Sequence, residues 1–136
     1  MAAFAGSLDA NVLLRLLLND VADQHRAVIR LFEAAQGQFA IADTAMIEVV
    51  FVLERNYEFT RAQVTEAVTG LMALAEVNCN RGLFEGALPL YCRNPKLSFE
   101  DCCLAIYAEL NHAEPLWTFD QKLASQAPTA RLVPSS

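Results

Sequence analysis

Long apolar runs are missing from this chain of 136 residues; the stretches at 12–14 and 16–18 are already parted by Arg15, so no membrane span is expected. No basic region opens the N-terminus, which reads as a strand rather than a signal peptide, and a cytoplasmic location is the expectation. Cysteine is scarce: Cys79, Cys92, Cys102 and Cys103 make no C-x-x-C pair and no zinc spacing. Cys102 and Cys103 fall in an apolar helical pattern, where a reduced thiol packs as a small hydrophobe. Charge is also thin, at 19% against 54% hydrophobic residues, which excludes a disordered chain. The ten Lys and Arg are scattered and the net charge is −6, which excludes broad, nonspecific duplex binding and leaves only a local grip on nucleic acid. Neither G-x-x-x-x-G-K nor G-x-G-x-x-G occurs, so nucleotide cradles are excluded. His25 and His112 have no Ser or Cys partner arrangement and are expected at the surface. Repeats, linkers and low-complexity segments are lacking too, so residues 1–136 read as a single domain large enough to bury a core.

What is present is an alternation of strands and helices. Strands are expected at residues 3–8, 39–42, 116–119 and 130–133, with a short edge strand at 77–80. Helices are expected at 11–19, 21–36 (with Gly37 as its C-terminal stop) and from Asp43 or Thr44, as cap, to about Asn56. Thr60-x-x-Gln63 is a capping box for the next helix, to about Glu76, and Ser98-x-x-Asp101 is another, opening a helix to about Asn111. Pro89 predicts a kink or two short helices within 83–93, since proline costs about 3 kcal/mol in a helix interior. A short helix at 121–126 completes the pattern. Such alternation predicts an α/β fold, a doubly wound parallel sheet of four or five short strands flanked by helices.

Four acids stand out: Asp9, Glu48, Asp101 and Asp120. Asp9 and Asp120 each follow a strand-like stretch, and Glu48 lies one turn inside the helix after another. Parallel neighbours bring their C-terminal ends to one sheet edge, where open α/β sheets hold ligands. Each acid has an ordinary role as well. Asp9 and Asp120 suit helix caps, Asp101 suits the capping box, and Glu48 suits a solvated helix face. Glu48 is nevertheless the lone charge between Thr44 and Leu53, and a charge in so apolar a run is paired or functional. Two carboxylates about 5 Å apart repel by roughly 3 kcal/mol at an effective dielectric of 20, so a cluster asks for a divalent cation. Hard oxygen donors point to magnesium or manganese.

At these residues the chain resembles the PIN-domain family, specifically the VapC-type toxin ribonucleases of bacterial toxin–antitoxin pairs, essentially end to end. Leu8-Asp9-Ala10-Asn11-Val12-Leu13-Leu14-Arg15 resembles the first motif, Ile47-Glu48-Val49-Val50 the second, Phe99-Glu100-Asp101-Cys102-Cys103 the third and Thr118-Phe119-Asp120 the closing T-F-D. Departures are Ala10, where a hydroxyl residue is common, the Cys102-Cys103 pair, and the lack of a glycine in His112-Ala113-Glu114-Pro115. The resemblance implies a PIN-like doubly wound sheet and metal-dependent endonucleolytic cleavage of RNA. It makes Asp9 and Asp101 direct ligands of Mg²⁺ or Mn²⁺, with Asp120 and Glu48 as ligands through water or as orienting groups. Asn11 and Thr118, two residues from an acid, would support the carboxylates by hydrogen bonds.

The resemblance also implies a cognate antitoxin peptide or protein whose guanidinium enters the acidic edge. Apolar residues Val28, Leu31, Phe32, Val64, Val68, Leu71 and Met72 suggest a groove for an amphipathic partner helix, and the apolar excess suggests a homodimer. The competing reading is a non-cleaving scaffold of the same fold that binds RNA or protein; all four acids being present favours the nuclease. A phosphatase or receiver domain needs a second acid beside the nucleophile, and Asp9 has none adjacent.

Overall fold

Short strands and longer helices alternate along residues 3–135, which the computed structural model describes. These residues fall into two units, the first ending at Asn80 and the second beginning at Arg81.

The first unit runs β1 (Gly6–Ser7), α1 (Ala10–Leu17), α2 (Ala22–Ala34), β2 (Phe39–Ala40), α3 (Asp43–Tyr57), α4 (Arg61–Met72) and β3 (Val77–Asn78). Its sheet has the order β1-β2-β3, wholly parallel, with Gly6 opposite Phe39 and Phe39 opposite Val77. The expected edge strand is therefore present. Each strand is only two residues long, but flanking amides extend the pairing: Leu8 N–H donates to Ala40 O at 3.1 Å and Ile41 N–H to Asn78 O at 2.9 Å. Gly6 takes φ +145°, a region closed to side chains, which is why a glycine opens the sheet. Gly37 is not the expected helix stop. The α2 cap is Ala35, in extended conformation, and a Cβ on Gly37 would stand 2.7 Å from Ala3 O. The missing side chain serves a close backbone approach ahead of β1.

Leu13 and Leu14 of α1, Met46, Val49, Val50 and Leu53 of α3, and Val64, Val68, Leu71 and Met72 of α4 are buried. From α2, Val28 and Phe32 join them, and Phe32 meets Phe39 at 5.1 Å between ring centroids. This corrects the expected groove: six of its seven apolar residues are core, and only Leu31 is exposed. The N-cap of α3 is also corrected. Ala42 holds that position without a side-chain bond, and Asp43 sits in the first turn, accepting from Asn80 Nδ2 at 3.3 Å. An acid there favours the helix dipole without capping it. The Thr60–Gln63 capping box forms in both directions, at 3.1 and 2.8 Å.

The second unit runs α5 (Arg81–Arg93), α6 (Phe99–Leu110), β4 (Leu116–Thr118), α7 (Gln121–Gln126) and β5 (Ala130–Leu132). Pro89 does not divide α5, which is one helix. Burial of Leu83, Phe84, Leu88, Leu90 and Tyr91 along it, each contributing roughly 1.5–3 kcal/mol, outweighs the proline cost. Phe99, at the start of α6, packs against Phe84 at 6.0 Å and edge-on against Tyr91 at 5.4 Å. Cys102 and Cys103 are buried, as their apolar setting predicts. Strands β4 and β5 pair in parallel, so the strands hydrogen-bond as a set of three and a set of two rather than as one ladder. The turn after α6 needs no glycine because His112 itself adopts φ +53°, a conformation histidine tolerates better than most residues.

A polar clamp ties the first unit's helices together. Arg15 donates to Asp20 Oδ1 at 2.9 Å and to the Tyr57 hydroxyl at 3.2 Å, while that hydroxyl donates to Asp20 Oδ2 at 2.6 Å. His25 is half-buried rather than a plain surface residue: its Nδ1 meets the Arg15 carbonyl at 2.8 Å, satisfying an acceptor in the last turn of α1. Donation from Tyr57, aided by the Arg15 charge, holds the Asp20 carboxyl below its ordinary value of 3.8. A depressed carboxylate contributes stability above its unfolded value and loses it as pH falls through the folded one. Tyr57→Phe should therefore lower the melting temperature at neutral pH, with the gap to the parent closing below about pH 4. A gap that stays constant through the acid range would overturn this account.

Candidate functional site

The parallel pairing of β1 and β2 sets two strand ends side by side. The chain leaving β1 reaches Asp9, and the chain leaving β2 enters α3, which carries Glu48. Asp9, Asn11, Thr44 and Glu48 line one open cavity of about 360 Å³, together with Ala10, Ala45 and Val52. Thr44, Glu48 and Val52 are spaced four apart on α3 and so share a face. Thr44 was read from the sequence only as a cap; its spacing from Glu48 was the signal that it faces the same cavity. Asp9 and Glu48 are both exposed, and among the described residues no basic side chain of the first unit is paired with Glu48.

Asp9 is the N-cap of α1, its Oδ1 accepting from Val12 N–H at 3.0 Å. The second carboxylate oxygen is not used by the cap. Capping and ligation are therefore compatible at this residue. In the second unit, Asp120 caps α7 in the same way, Oδ1 accepting from Lys122 N–H at 2.9 Å and Leu123 N–H at 3.2 Å. Thr118 supports it through the backbone: its hydroxyl accepts from Asp120 N–H at 2.9 Å. Asp101 lies in the first turn of α6, its amide donating to the capping Ser98 Oγ at 3.0 Å.

Among the described residues no group of three or more His, Cys, Asp or Glu is gathered to hold a metal ion. The Asp9–Glu48 pair still suits magnesium, which demands hard oxygen donors, keeps several of its waters and is commonly held by one or two carboxylates. With Asn11 and Thr44 beside them, these acids have polar neighbours for that water shell. A resident divalent cation would be held here by Asp9 and Glu48.

The profile of the PIN domain family matches residues 7–127, and the chain belongs to that family. The PIN domain is generally a metal-dependent nuclease fold that uses divalent metals such as Mg²⁺. A comparison with curated proteins gives no match. No helix among the described residues is long and apolar enough to cross a membrane.

The cap at Asp9 separates two substitutions. Asp9→Asn keeps a good cap and removes a charge, so metal-free stability should be nearly unchanged. Asp9→Ala loses the cap and should cost about 1 kcal/mol. Denaturant unfolding in chelator measures both, and equal losses would show that the cap is not what Asp9 supplies to the fold.

Proposed function

We propose that this chain is a metal-dependent endoribonuclease, the toxin of a type II toxin–antitoxin pair, acting as one PIN domain across residues 1–136. The observation that carries the reading is the pair of unneutralised carboxylates, Asp9 and Glu48, in one open cavity at the C-terminal ends of paired parallel strands. When bound, Mg²⁺ or Mn²⁺ acidifies a water and offsets the charge that develops on the scissile phosphate. The chain's own part is to hold carboxylate oxygens in place. The helix amide fixes one oxygen of Asp9 and so aims the other, and α3 sets Glu48 across the cavity. Asp101 and Asp120 take their catalytic assignment from the motif resemblance, and Asp120 has the same one-oxygen cap as Asp9. Asn11 and Thr118 are positioning residues in this reading.

The same acidic cavity suits the guanidinium of an antitoxin, which pairs with a carboxylate in a bidentate way and competes with the metal. A homodimer finds support in α6, where Leu104, Tyr107 and Leu110 form an exposed stripe at helical spacing. A non-cleaving scaffold is the second reading; the shared cavity of Asp9 and Glu48 favours the nuclease, because binding alone does not call for two acids in one place.

Asp9→Asn, Glu48→Gln and Asp101→Asn should each lower Mg²⁺- or Mn²⁺-dependent RNA cleavage at least about a hundredfold, while their circular dichroism spectra match the parent. Manganese should raise the parent's melting temperature, and should do so less in Asp9→Asn. Three variants that all cut like the parent would refute the nuclease assignment. Expression alone should slow growth, and co-expression of the cognate partner should restore it.

A further inference from the structure

Strands β4 and β5 of the second unit turn an unusual face to solvent. β4 ends at Thr118, and Phe119 lies in the bend that follows it. Trp117 is 55% exposed and Phe119, just past the end of β4, is 82% exposed, the highest value for any large hydrophobic side chain among the described residues. Burying such rings would stabilise a fold, so the exposure of both within three residues of chain is not explained by packing. Arg131 is the register partner of Trp117 and therefore stands beside it on the same face. It is exposed and has no ion pair within its unit among the described residues, although Glu114 lines the same cavity of about 220 Å³.

We infer that this face, formed by Trp117, Phe119 and Arg131, is a stacking platform for the unpaired bases of single-stranded RNA. The choice of RNA rests on the nuclease reading above. Flat aromatic surfaces take the π-face of any base, and an adjacent guanidinium takes a phosphate or a further base. Base-paired RNA does not offer those faces, which makes the platform selective for unpaired segments. Phe119 directly precedes Asp120, so a nucleotide stacked on Phe119 brings its backbone to that acid. With a net charge of −6 the chain exerts no general pull on phosphate, so short-range stacking has to supply most of the hold. That gives the contact a signature: binding with a shallow salt dependence, of slope about −0.7 on logarithmic axes, as one neutralised phosphate requires for a single strand.

Trp117 is the chain's single tryptophan, so its fluorescence reports on this face alone. The test is titration with an oligouridine of about ten nucleotides in chelator, where binding is read without cleavage. Saturable quenching is expected, with little from a fully base-paired RNA hairpin. Phe119→Ala should weaken binding at least about fivefold, and Arg131→Gln should weaken it and flatten the salt slope. Both residues are exposed, and circular dichroism confirms that the variants fold. Absence of quenching, or unchanged affinity in both variants, overturns the platform. So does a Trp117 spectrum that changes with protein concentration in the absence of RNA, which would assign the face to a second copy of the chain. Cleavage without quenching removes the platform and leaves the nuclease reading; quenching without cleavage does the reverse.

Discussion

The first unit depends on the parallel register of β1 against β2. Two residues on each strand, Gly6 with Phe39 and Ser7 with Ala40, decide where the next residues of both chains emerge. Because the strands run the same way, both exits lie at one edge, and each exit is followed by a helix. A one-residue slip would turn Phe39 out of the core, so the buried contact with Phe32 holds the register that the few hydrogen bonds alone would hold weakly. The conformation of Gly6 and the close approach at Gly37 shape the entries to that short ladder, while the Arg15–Asp20–Tyr57 clamp ties the end of α1 to the end of α3. The cavity shared by Asp9 and Glu48 is a consequence of this register.

Local structural chemistry does not compete with the proposed chemistry at Asp9 and Asp120. A carboxylate has two oxygens, and each of these caps uses one. An oxygen tethered to helix amides restricts the rotation of the whole group, so the fold lowers the entropy that ligation would otherwise cost. This is why acids at helix starts look unremarkable in sequence and can still be active groups. Glu48 is different, because it caps no helix: it stands exposed on α3 and lines the same cavity as Asp9.

Much of this was legible beforehand, since strand–helix alternation, the Thr60–Gln63 box and the stop at Gln126 are local signals. Helix ends moved by one to four residues and strands shortened, because pairing partners rather than composition decide where a ladder ends. Pro89 misled because its cost is local while the burial that outweighs it is tertiary. The apolar faces of α2 and α4 misled for a related reason: apolar residues at helical spacing cannot say whether they face a core or a partner, and here nearly all face the core. Asp9 and Glu48 were individually visible, but their shared cavity needed the sheet register. The face of β4 and β5 was invisible for the same reason, since Trp117 and Arg131 become neighbours only through strand pairing.

On the nuclease reading, a chain of net charge −6 must overcome repulsion from a polyanionic substrate, and charge is distributed here in a way that makes the problem local. Cations are scattered, while unneutralised carboxylates face the Asp9 cavity. Long-range attraction would favour any polyanion, duplex or single strand, whereas stacking favours only bases that are free. A weakly attracting surface with an aromatic contact next to an acid would therefore exchange association rate for selectivity and disfavour duplex nucleic acid. On the proposed reading a divalent cation would offset charge at the carboxylates, and the aromatic face would select for unpaired bases. Such a division would place specificity outside the carboxylates, so changes around β4 and β5 would redirect the choice of RNA without altering the acids.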